Sequence, residues 1–147
     1  MEMNEALLQR IESRMNWVND LAAGTVCGDL QLRLDGYDPV HQQFRILGRT
    51  EAYMRNVIDT LHGGCVAVLA DQAMGCIANC LFTDDNHAPT SQMSLNFHRP
   101  MTAGEEVLVL VRIVNISRRQ IHLSSEIYQR KAPDKLCVSA SAVFFRP

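Results

Sequence analysis

Residues 60–82 read TLHGGCVAVLADQAMGCIANCLF, and this stretch decides the fold. From Gly63 onward only Asp71, Gln72, Asn79 and the cysteines interrupt an apolar run, which predicts a long helix buried all round. Its opening, Thr60-Leu61-His62-Gly63-Gly64, offers free backbone N–H groups at a helix start, where an oxyanion can bind. Asp71 near mid-helix is a carboxylate in apolar surroundings, able to serve as base or nucleophile. Together these features point to acyl transfer. A membrane span is the rival reading of so apolar a run. Against it, the acid near the middle costs about 2.5–3.5 kcal/mol on insertion, and no Lys or Arg anchors either end. A helix wrapped inside a sheet is the better reading.

On the N-terminal side, Leu8, Ile11, Met15, Val18 and Ala22 recur every three or four residues and predict an amphipathic helix over 4–23, ending near Gly24. Leu30, Leu32 and Leu34 then alternate with polar residues before a turn at Gly36-Tyr37-Asp38-Pro39, and residues 42–50 give a second extended run. Beyond the polar loop 83–87, Met93, Leu95 and Phe97 alternate, and residues 107–114 are almost continuously apolar. Ile121, Leu123 and Ile127 follow, with residues 136–145 as the last strand, and turns fall at Asn115-Ile116-Ser117-Arg118 and Ala132-Pro133-Asp134. The order helix, two strands, long helix, four strands is an α+β layout. One domain over 1–147 is expected, with residues 1–24 as an N-terminal helix and 25–147 as the core.

Composition limits the function classes. A chain of 147 residues that is 47% hydrophobic buries a substantial core unaided. Fourteen Lys and Arg against sixteen Asp and Glu leave a formal charge of −2, so no basic excess suggests a nucleic-acid or anionic-membrane partner. Five cysteines, Cys27, Cys65, Cys76, Cys80 and Cys137, form no CxxC pair, and the odd count fits a reducing cytoplasm. No basic and apolar leader follows Met1, so no secretory signal is expected. Cys76 and Cys80 lie one helical turn apart but no further ligand completes a zinc pattern; small core residues are the expected reading, with no metal.

Two motifs carry a resemblance over roughly residues 25–147. Asn56, His62-Gly63-Gly64 and Leu69-Ala70-Asp71 form the first; Thr90, Met93, Leu95, Phe97, Arg99-Pro100 and Gly104-Glu105 form the second. In this order and at this separation they resemble the hotdog-fold acyl-CoA thioesterases of the phenylacetate-degradation type. The resemblance implies a hotdog fold, a long helix cradled by a curved antiparallel sheet, here with an extra N-terminal helix. It implies homodimers with two sites at the interface, often paired into a dimer of dimers. The backbone N–H of Gly63 would polarise the thioester carbonyl, Asp71 would be base or nucleophile, and Thr90 would assist the acid or its water. Asn56 and His62 would help place the carbonyl and the loop. Coenzyme A belongs to the substrate, so no separate cofactor is expected.

Spacing supports a shared site apart from any family. Eight helical steps separate Gly63 from Asp71, about 12 Å, whereas both must come within about 3–3.5 Å of one carbonyl. Two copies of the chain resolve this, each giving one of the two groups. Duller readings stand beside these. Gly63-Gly64 can serve a tight turn, Asn56 can cap one, Thr90 can be a strand-start hydroxyl with Ser91 as its alternative, and Asp71 can hold a structural hydrogen bond. Gly64 and Ser91 are secondary substrate contacts on this reading. Arg118 and Arg119 at one hairpin tip are candidates for the coenzyme A phosphates, ahead of Lys131 and Lys135 at the next. An apolar acyl pocket is expected between the two central helices, capped by the N-terminal helix. A hotdog hydratase or dehydratase and a non-catalytic acyl-CoA sensing module are the alternatives.

Overall fold

The computed structural model describes residues 3–82 and 87–146. Helix α1 (Glu5–Leu21) starts where the Asn4 side chain accepts from the Leu7 N–H at 2.9 Å, and it buries Leu7, Ile11 and Met15. A short helix, α2 (Val26–Asp29), follows, then strands β1 (Arg33–Asp38) and β2 (Gln43–Arg49). After a 3-10 turn at Ala52–Met54 come helix α3 (Gly63–Leu81) and strands β3 (Thr90–Phe97), β4 (Glu106–Ile116), β5 (Gln120–Gln129) and β6 (Val138–Phe145). All pairings are antiparallel, in the order β1-β2-β4-β5-β6-β3. α3 packs on one face of this sheet against β3, β4, β5 and β6, and α1 packs on α3 and β1. This is the hotdog architecture, with α1 as the extra N-terminal helix.

One element goes unread in the sequence, and two expectations need correction. The segment around residues 26–29 is helical because Thr25 caps it, its hydroxyl accepting from the Gly28 N–H at 3.3 Å; four residues are too few to show a period in sequence. β1 runs through the expected turn at 36–38, since Gly36, at φ 136°, supplies a bulge between Leu34 and Gly36 and the chain stays extended. Lastly, α3 is not buried all round. Val66, Leu69, Ala70, Ala73, Met74 and Ile77 face the core, whereas Ala67, Val68, Asp71, Gln72 and Gly75 are only half-buried. By length and composition α3 could cross a membrane, but its buried stripe is that of a core helix. Of the polar loop read at 83–87, only His87 lies within the described residues.

Packing explains why α3 is held in place. Phe44 and Phe144 from the sheet meet Leu69, Met74 and Ile77 of α3 and Ile11 and Met15 of α1 in one cluster. The α3 C-terminus is tied to α1, because Arg10 donates to the carbonyls of Cys80 at 2.6 Å and Phe82 at 3.3 Å. Cys76 and Cys80 are buried within this core, and burial pushes the Cys76 thiol up to about 12, so it packs as a small apolar side chain. β3 stands at the sheet edge, and its apolar Met93, Leu95 and Phe97 remain half-buried or exposed. An edge of this kind is a ready pairing surface.

Candidate active site

Asn56 organises the loop that leads into α3. Its Oδ1 accepts from the N–H groups of Ile58 at 3.1 Å and Thr60 at 3.0 Å, and its Nδ2 donates to the Thr60 hydroxyl at 2.8 Å. The next two residues are fixed by their own backbone bonds, Leu61 N–H to Met101 at 2.7 Å and His62 N–H to Met54 at 2.8 Å. The Asn56 amide is therefore a loop-shaping group. His62 is the N-cap of α3, and its Nδ1 accepts from the Gly64 N–H at 2.9 Å. The first intrahelical bond runs from the Val66 N–H to the His62 carbonyl. Three N–H groups thus open the helix, and His62 occupies that of Gly64. Among the described residues, the Gly63 N–H has no acceptor.

Gly63 borders a cleft of about 330 Å³, lined also by Asn56, Val66, Phe97, Arg99 and Met101, among others. A Cβ on Gly63 would lie 3.5 Å from the Phe97 ring, an ordinary contact, so Gly63 sits directly against Phe97. Helix N-terminal charge and an uncommitted donor here favour a carbonyl oxygen that gains negative charge. The sequence alone gives Arg99 no role, although it stands in the second motif. Its guanidinium makes no ion pair or hydrogen bond among the described residues.

Two turns further along α3, Asp71 Oδ1 accepts from the Thr90 hydroxyl at 2.6 Å. The carboxylate is half-buried, not sealed in the core, and Thr90 is exposed at the start of β3. Thr90 and not Ser91 makes this bond. Successive strand residues point to opposite faces, and the Ser91 hydroxyl donates to the Val143 carbonyl at 3.1 Å. Asp71 and Thr90 border a second cavity of about 170 Å³, which also meets Arg14 and Val18 of α1. α1 forms one wall of this cavity. Its lining is mixed, since Arg14, Gln72 and Asn79 join Val18 and Phe144. Asn79 is spent on structure, donating to the Gly75 carbonyl at 2.8 Å and accepting from the Ala88 N–H at 2.9 Å.

Gly63 and Asp71 therefore face different cavities of one chain, at opposite ends of β3: Gly63 lies against Phe97, and Asp71 binds Thr90. Arg118 and Arg119 are exposed between β4 and β5, at the Thr90 end of the sheet, because Gln120 pairs with Phe145 and Phe144 pairs with Thr90. Two strands separate them from Thr90, roughly 10 Å. Lys131 is engaged by Glu105 at 3.2 Å. Residues 59–137 match the thioesterase superfamily.

The chain belongs to the thioesterase superfamily. Solved structures share its fold. A mutant form of the phenylacetic acid degradation protein PaaI of Thermus thermophilus is 25% identical over 79% of this chain and 93% of that one, with a TM-score of 0.64. PaaI of E. coli is 18% identical over 96% and 99%, at 0.69. A Streptococcus mutans protein, smu.793, solved with acetyl CoA bound, is 18% identical over 78% and 86%, at 0.65. A search of curated proteins found no match. In this member of the superfamily, the two motifs fall on the loop before α3, the first half of α3, β3 and the segment that follows β3.

Proposed function

We propose that the protein hydrolyses acyl-CoA thioesters at two sites, each shared between the subunits of a homodimer. The observation that carries this reading is the pairing of an uncommitted Gly63 N–H with an Asp71–Thr90 bond on the same helix but in a separate cavity. Antiparallel pairing of β3 with its copy would bring Phe97 of one subunit beside the β3 start of the other, and so Gly63 to a second Asp71. It would also cover the half-buried face of α3. In this arrangement the Gly63 N–H polarises the thioester carbonyl. Asp71 either takes a proton from water as it attacks the carbonyl, or attacks itself to form a mixed anhydride that water opens. Both routes yield the free acid and coenzyme A as its thiol. Two such dimers pair into a tetramer.

Thr90 holds the carboxylate oxygen that is not reacting. Thr90→Val, which keeps shape and removes the donor, should lower kcat roughly 10-fold. Thr90→Ser should restore most of it. Equal rates for wild type and Thr90→Val would remove the hydroxyl from the mechanism.

In the two-chain site, Arg118 and Arg119 come from the subunit that gives Asp71, and Arg99 from the one that gives Gly63. Removing Arg118 and Arg119 together by alanine should raise KM for acyl-CoA several-fold with kcat nearly unchanged, since phosphate is bound equally before and during reaction. With an acyl-pantetheine lacking the nucleotide the difference should vanish. An unchanged KM at low salt would leave Arg99 as the phosphate contact.

A sensing module needs the cleft but no acid, so the Asp71–Thr90 pair favours the enzyme. The five free cysteines favour a reducing compartment, and we assign the enzyme to the cytoplasm. The direct test is release of free thiol from short, long and aromatic acyl-CoAs. Turnover proportional to protein is expected with at least one of them; none with any would overturn the reading.

A further inference from the structure

Resting on the thioesterase reading, we infer that Arg14 selects acyl groups that carry a carboxylate at the end remote from the thioester. Arg14 borders the cavity beside Asp71 and Thr90, the space open to an acyl chain whose carbonyl lies at Asp71. Its position is fixed from two sides. One amino group contacts His87 Nδ1 at 3.0 Å, and the guanidinium carbon sits 4.8 Å over the Trp17 ring, which stacks on His87 at 6.3 Å. Its Nε is buried without an acceptor, and no carboxylate among the described residues pairs with it. A partly buried cation without a counter-ion is costly, and an anion in the cavity would offset that cost through the guanidinium's charge and terminal amino groups. Arg10, one turn earlier on α1, shows the contrast, because both its contacts are spent on the C-terminal carbonyls of α3.

The chemistry of the anion follows from the guanidinium. Its planar fork matches a carboxylate with two parallel hydrogen bonds. A second polar group is available nearby, since the Gln72 amide has only a 4.0 Å contact with Cys76 Sγ. Size sets the rest. The cavity of about 170 Å³ is close to the ~150 Å³ that accommodates benzene, so it holds an acyl chain of roughly four to six carbons.

The test compares kcat/KM for glutaryl-CoA and pentanoyl-CoA, equal in carbon count and different in the terminal carboxylate, in wild type and in Arg14→Met. Wild type should prefer glutaryl-CoA by about 10-fold or more, and Arg14→Met should lose about 10- to 100-fold on glutaryl-CoA with little change on pentanoyl-CoA. A wild type that prefers pentanoyl-CoA overturns the inference while leaving the thioesterase reading intact, and does so even if Arg14→Met fails to fold. Equal losses on both substrates in a folded Arg14→Met also overturn it. Hydrolysis of no acyl-CoA at all would instead defeat the thioesterase reading and this inference with it.

Discussion

Asp71→Asn is expected to lower thioester hydrolysis by ~10²–10⁴-fold while the protein folds as before. Asparagine keeps the size and the acceptor for the Thr90 hydroxyl, which bonds Asp71 at 2.6 Å, so the local packing is preserved. What it loses is the basic and nucleophilic oxygen. Because Asp71 is half-buried on α3 and the substitution is isosteric, the melting temperature should move by only a few degrees. Thiol release measured beside a thermal melt checks both halves. Activity near wild type in a folded Asp71→Asn would remove the acid from the chemistry.

The second large effect belongs to a single backbone hydrogen. Gly63→Pro should cost about 10²–10³-fold in kcat, the range seen when one oxyanion donor is removed. The site is suited to the substitution. Proline is favoured at the first helical position, and His62, at φ −61° and ψ 132°, already has the extended conformation that precedes proline. No native hydrogen bond is lost, since the Gly63 N–H has no acceptor among the described residues. Gly63→Ala is the control. It keeps the N–H, and its Cβ meets Phe97 at an ordinary 3.5 Å, so its kcat should stay within a few-fold of wild type. Similar losses in both variants would mean that shape, and not the donor, matters at this position.

The start of α3 was legible because His62-Gly63-Gly64 and the apolar run after it are local signals, and a helix N-terminus is made locally. The strands were legible in number and order for the same reason, through alternation. Tertiary effects were not. α2 rests on one capping threonine, and the bulge at Gly36 prolongs β1 past an apparent turn. The half-buried face of α3 looks in sequence like more core, because covering surfaces leave no periodic mark. At the site, the Asp71–Thr90 pairing spans nineteen residues, so it was readable only through the resemblance. The sequence does allow Asn56 its bland role as a turn former, and its side chain is spent on that loop. Arg14 sits on the polar stripe of α1, where a solvated arginine is the ordinary expectation; only the packing of α1 beside α3 turns it toward a cavity.

Subunit complementation tests the shared site most directly. Asp71→Asn and Gly63→Pro, each nearly inactive alone, are to be co-refolded in equal amounts and assayed for thiol release. In a mixed dimer one site carries both lesions and the other carries neither. Random assortment makes half the dimers mixed, so recovery should reach about a quarter of wild-type activity. Activity no greater than the mean of the two parents, with mixed dimers confirmed by mass, would show that Gly63 and Asp71 do not act across an interface and would contradict the account.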